Sequence, residues 1–162
     1  MLFSGTLGSN MDPFDEFTQE EIFTALRRVH LLNDISDQDI NQNVFKDLTT
    51  SVSEGGKNFS QGQRQLLCLA RALLKRSTVV LMDEATASVD FETDKAIQKT
   101  ITTEFKNSTI LCIAHRLNTV IEYDRILVLD HGEIIEFARY GIKLLLVLIS
   151  MLIFSFIVLW SF

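Results

Sequence analysis

Apolar residues recur at helical spacing in three stretches of this chain and run without a break in several short ones. Ile22, Leu26 and Val29 follow Thr18 and Glu21, a Thr-x-x-Glu pattern that opens helices, and predict a helix over 18–30. Ser60 and Gln63 repeat that pattern ahead of Leu66, Leu69, Leu73 and Leu74, and predict a strong helix over 61–75. Ile97, Ile101 and Phe105 are spaced by four and predict a third helix over 91–105; a short one is expected over 117–123. Residues 78–82 and 109–114 are continuous apolar runs, as in strands buried on both faces. Two further strands, 126–129 and 133–137, flank a turn at His131 and Gly132. Residues 1–12 and 51–59, punctuated by Gly and Asn, read as loops, and 35–48 as a polar stretch with weak helical periodicity. Helices alternating with strands imply an α/β fold with a layered, largely parallel sheet.

Composition narrows this little. The 162 residues fit one domain, or a partial domain with an appendage. One Pro and seven Gly exclude collagen-like and low-complexity classes. The net charge of −6 argues against nucleic acid as a partner, and residues 14–59 carry no coiled-coil heptads. Cys68 and Cys112 lie inside apolar stretches, as reduced core cysteines do.

The charge distribution is more informative. Every charged residue lies at or before Lys143, and 144–162 carries none. As a helix that tail would measure about 28 Å, close to the roughly 30 Å of a bilayer core. Arg139 and Lys143 precede it, as basic residues do on a cytoplasmic flank. The segment is therefore a candidate transmembrane helix, touching membrane lipid and leaving 1–138 in the cytosol. A buried core helix is the first alternative, although the run has no polar face. A read-through of T-rich sequence, with no selected role, is the second.

Two places carry candidate chemistry. The helix at Ser60 begins Ser60-Gln61-Gly62-Gln63, and its free backbone N–H groups and positive dipole end suit an anion. An ordinary capped helix is the competing reading. The strand over 78–82 runs into Asp83 and Glu84, adjacent carboxylates that are costly there unless they hold a cation or activate water. A solvated turn is the alternative. His115 follows the next strand and would share that sheet edge; Asp90, ahead of a helix, reads as its N-cap.

Taken together, Phe59-Ser60-Gln61-Gly62-Gln63-Arg64-Gln65, Leu81-Met82-Asp83-Glu84-Ala85-Thr86, Ser88-Val89-Asp90 and Ile113-Ala114-His115-Arg116-Leu117 closely resemble the nucleotide-binding domain of ABC transporters. Leu2-Phe3-Ser4-Gly5-Thr6, Asp12-Pro13-Phe14 and Ser53-Glu54-Gly55-Gly56 resemble the second such domain of the multidrug-resistance-associated, or C, subfamily. The resemblance implies a P-loop-type ATPase fold, with ATP and Mg²⁺ as cofactors. It implies that Ser60, Gln61, Gly62 and Gln63 form the signature loop, in which Phe59 and Gln61 depart from the usual Leu and Gly. That loop would meet ATP on an opposing nucleotide-binding domain in a head-to-tail sandwich. Asp83 would hold Mg²⁺, Glu84 would be the catalytic base, His115 the switch histidine, and Asp90 part of the loop between the two sites. The family couples these steps to export of organic anions, conjugates or drugs through membrane domains.

The sequence contains no G-x-x-x-x-G-K-[ST] phosphate cradle: Asn58 follows Gly56-Lys57, and Ser51 stands at the first glycine position. The resemblance thus covers the C-terminal half of the domain: the helical subdomain and part of the core sheet, without the central strand and helix that carry the cradle. Hydrolysis in cis is not expected. Residues 1–138 are the expected partial domain and 139–162 the apolar tail. A non-catalytic module supplying its signature motif in trans, and a non-functional fragment, are the remaining readings.

Overall fold

The computed structural model describes residues 2–32, 43–83, 91–113, 123–139 and 156–161. They fall into two compact units, one formed by Met1–Arg76 with Ser88–Glu104, the other by Ser77–Ala87 with Phe105–Phe162.

The first unit is mainly helical. Its expected N-terminal loop contains a short strand, β1 (Gly5–Thr6), and a one-turn helix, α1 (Leu7–Met11). Thr6 caps α1, its hydroxyl accepting from Ser9 N while Ser9 Oγ accepts from Thr6 N. Five residues are too short to show a helical period, so this helix has no periodic signature in the sequence. Asn10 is buried and ties α1 back to the chain start, accepting from Phe3 N and donating to Phe3 O.

Helix α2 (Gln19–Arg28) begins where the Thr18 and Glu21 pair predicts, with both reciprocal capping bonds formed. Ile22, Ala25, Leu26 and Val29 form its buried face. Strand β2 (Ser51–Val52) pairs antiparallel with β1. Helix α3 (Gln61–Leu74) packs on α2, and helix α4 (Phe91–Glu104) packs on α3. Ile97 and Ile101 are buried on α4, as their spacing predicts.

The turn ahead of α2 is held by a carboxylate. Asp12 Oδ2 accepts from Phe17 N at 2.7 Å. Burial pushes its pKa up, but backbone N–H groups of Phe17, Glu16, Phe14 and Asp15 outweigh that and leave it below the ordinary 3.8. A lowered native pKa stabilises the fold above the unfolded-state value, and the contribution is lost as pH falls through the native value. Asp12→Asn should therefore lower the urea midpoint at pH 7. The gap to the parent chain should close as the pH is taken below 3.8, towards the lowered native value.

The second unit is a five-stranded sheet in the order β3-β4-β7-β5-β6. Its strands are β3 (Val79–Asp83), β4 (Thr109–Ile113), β5 (Arg125–Asp130), β6 (Glu133–Arg139) and β7 (Phe156–Ser161). The four strands expected from the sequence are present, but the sheet is mixed rather than largely parallel. Among the described strands only β3 and β4 run parallel; β5 and β6 form a hairpin, and β7 is antiparallel to both neighbours. The hairpin turn places His131 and Gly132 at positive φ, 48° and 85°, the geometry that matches strand twist.

Two further expectations change. Strand β3 is buried on one face only: Val80 and Met82 are inside, whereas Val79 and Leu81 are 53% and 76% exposed. The apolar tail is not one helix through 144–162, because its residues 156–161 form β7. Among the described residues no helix is long and apolar enough to cross a membrane. A continuous apolar run fits a helix in lipid and a central strand equally well, and local sequence does not separate them.

Candidate functional site

The N-terminus of α3 is built from the turn that precedes it. Asn58 organises that turn: its side-chain oxygen accepts from Ser53 N and Ser53 Oγ, and its Nδ2 donates to Ser51 O. Gly55 and Gly56 take φ values of 69° and 68°, which glycine adopts without strain. Phe59 then turns inward and stacks on Phe45, with ring centroids 5.5 Å apart. Gly56-Lys57-Asn58 is thus spent on a structural turn, in line with its failure to match a phosphate cradle.

Ser60 is the N-cap of α3. Its Oγ accepts from Gln63 N at 3.2 Å, and Gln63 Oε1 accepts from Ser60 N at 2.9 Å. Ser60 and Gln61 are exposed, Gln63 is half-buried and Gly62 is buried. No acidic residue lies in the first turn of α3, whereas Glu20 and Glu21 occupy that of α2. The positive end of α3 is therefore not neutralised by its own side chains.

Beside this helix end lies a cavity of about 440 Å³, lined by Ser60, Gly62, Gln63 and Leu66 of α3 together with His30, Leu31, Asn43, Val44, Phe45 and Thr93. Asn43 shapes its wall by donating to Leu31 O and accepting from Phe45 N. Leu66, expected in the core, borders this cavity and is half-buried; Leu67 is buried instead. Thr93, which the sequence did not single out, packs directly over Gly62. A Cβ at position 62 would collide with Thr93 Cγ2. Their juxtaposition is a product of helix packing, and no local signal announces it.

Asp83 ends β3 and is exposed. The parallel register pairs Met82 with Cys112 and Asp83 with Ile113, so β3 and β4 finish at one sheet edge. Glu84, Asp90 and His115 lie outside the described residues. Cys112 is buried, while Cys68 is only half-buried. Burial pushes the Cys112 thiol up; a hydrogen bond from Tyr123 pulls it down, and the Asp83 charge adds to the rise. No cluster of metal-binding side chains occurs among the described residues.

The order of these features along the chain is that of a known family, whose profile, described as ABC transporter, matches residues 5–87. The chain belongs to the ABC transporter family. It is similar to the pleiotropic ABC efflux transporter of multiple drugs of Candida glabrata, 53% identical over 146 residues. It is similar also to the ATP-dependent bile acid permease of Saccharomyces cerevisiae, 51% identical over 151 residues. Each alignment takes in 84% of this chain and 9% of the relative. Human ATP-binding cassette sub-family C member 3 is 52% identical over 137 residues, or 85% of this chain and 9% of its own length. The chain thus spans about a tenth of the length of these ABC transporters.

For an ABC protein, the capped end of α3 fits a polyphosphate. It offers the exposed Ser60, whose hydroxyl is still able to donate, and first-turn N–H groups that have no partner within the helix, while Gly62 is taken up by the close approach of Thr93. At the end of β3 the exposed Asp83 carboxylate is hard-oxygen chemistry suited to Mg²⁺.

Proposed function

We propose that this chain is the C-terminal half of an ATP-binding domain of an ABC exporter of organic anions, conjugates or drugs. The observation that carries the reading is the Ser60–Gln63 capping box at an un-neutralised helix end beside a cavity of about 440 Å³. Ser60 and Gly62 donate hydrogen bonds to the γ-phosphate of ATP held on an opposing nucleotide-binding domain, and Gln61 and Gln63 frame that contact. Asp83 holds Mg²⁺, Glu84 takes the proton of the attacking water, His115 supports the γ-phosphate, and Asp90 links the paired sites. Mg²⁺, when bound, neutralises charge on the transferring phosphoryl group. Identity near 50% to transporters of drugs and of bile acid supports the export reading, and membrane association follows from the transporter's membrane domains.

This chain alone supplies no phosphate cradle, so Glu84 has no nucleotide in cis to act on. Purified chain should release phosphate from ATP at the buffer rate, and Glu84→Gln should leave that rate unchanged. Turnover above background that Glu84→Gln abolishes would overturn this part of the reading. For the trans contact, the chain should bind an ATP-loaded ABC domain that retains its phosphate loop, and should lose binding when ATP is withheld.

A further inference from the structure

We infer that the apolar C-terminal segment is a plug strand, which joins two otherwise separate strand pairs into one sheet and is thereby withheld from lipid. This inference concerns the second unit alone and stands whether or not the ATP-site reading holds.

The first observation is topological. The described sheet runs β3-β4-β7-β5-β6, so β4 and β5 are joined only through β7. Without β7 the sheet falls into two two-stranded ribbons, β3-β4 and β5-β6, and an isolated pair of strands is marginal in water. Each ribbon would also present a row of unpaired N–H and C=O groups, a template for aggregation. One segment seals both edges.

The second observation is register. Leu159 stands opposite Cys112 of β4 and opposite Ile126 of β5. With Met82 opposite Cys112 and Ala138 opposite Ile126, one apolar row crosses all five strands. Met82, Cys112 and Ile126 in that row are all buried. A slip of one residue would put Val158 or Trp160 in the row and turn every side chain of β7 to the other face.

The third observation is length. Six residues committed to β7 leave 144–155 for any membrane helix, about 18 Å of rise against a bilayer core of roughly 30 Å. Seating in the sheet and spanning a membrane are therefore mutually exclusive. The composition agrees, because Phe156, Ile157, Val158 and Trp160 are all strong strand formers. β7 stands at the centre of the described five-stranded order.

The test uses the full chain in a Cys68→Ser background. Leu159→Cys places a thiol opposite Cys112, and cross-strand partners lie within disulfide reach. Val158→Cys, one residue away, stands in register with Ile113 rather than with Cys112 and is the control. After diamide oxidation, Leu159→Cys should form an intrachain disulfide about tenfold more completely than Val158→Cys. The parent chain, mixed with phosphatidylcholine–phosphatidylserine vesicles, should stay at the bottom of a flotation gradient. Flotation with the vesicles, with no disulfide at Leu159→Cys, would establish a lipid anchor and overturn the inference. Equal crosslinking of the two variants would refute the register, and a disulfide-linked dimer would assign the slot to a second copy's tail.

Discussion

Replacing Leu67 by Ala should cost the helical unit about 2–5 kcal/mol, while the same change at Leu66 should cost well under half as much. The two leucines are neighbours on α3, and the sequence pattern places Leu66 rather than Leu67 on its apolar face. Leu67 is 1% exposed, and its loss removes transfer free energy and leaves a cavity that packed neighbours fill only in part. Leu66 borders the cavity beside Ser60, where there is already open space, so truncation there removes fewer packed contacts. Urea denaturation followed by the helical signal measures both. Equal losses at the two positions would show that the face of α3 is assigned wrongly.

Gly62→Ala should destabilise the same unit, and Thr93→Ser should restore most of the loss. A Cβ at position 62 meets Thr93 Cγ2, the atom that serine lacks. Overpacking of this kind costs about 1–3 kcal/mol, and the better helix propensity of alanine offsets up to about 1 kcal/mol of it. A net loss of about 1–2 kcal/mol is expected for Gly62→Ala, and near-parent stability for the double variant. The pair has a functional use. A ligand-binding defect of Gly62→Ala that disappears with Thr93→Ser comes from a displaced helix end. One that persists comes from the added methyl group itself rather than from a displaced helix end. If Thr93→Ser gives no rescue of stability, the close approach of α3 and α4 at Gly62 is not the source of strain.

The capping boxes were the most legible features. Thr18 with Glu21 and Ser60 with Gln63 start α2 and α3 where the pattern put them, because a cap is satisfied by residues three apart. Ser60 to Gln63, the signature loop of the proposed reading, are contiguous, so their local capping geometry was legible for the same reason. The Asp83 edge was partly legible, since a continuous apolar run ending in carboxylates predicts a strand end, and the register with Ile113 then brings β4 alongside. Glu84, Asp90 and His115 rest on the sequence pattern and on family membership. The short helix α1 was missed because its cap, Thr6 with Ser9, lacks the Glu or Gln that usually marks one.

By itself, the sequence determined where α2 and α3 start, which segments are apolar, the absence of a phosphate cradle from these residues, and membership of the ABC transporter family. Each is a property of neighbours in the chain, decided by capping, periodicity or an uninterrupted motif. Tertiary structure alone decided that Leu67 rather than Leu66 is buried, that Thr93 bears on Gly62, and that one face of β3 is open. It also decided that the end of the apolar tail is a strand between β4 and β5. These depend on which distant surface arrives at a residue. An apolar run requires only that its surface be removed from water. A bilayer and a gap between two strands both satisfy that requirement, and in the described sheet residues 156–161 pair with β4 and β5.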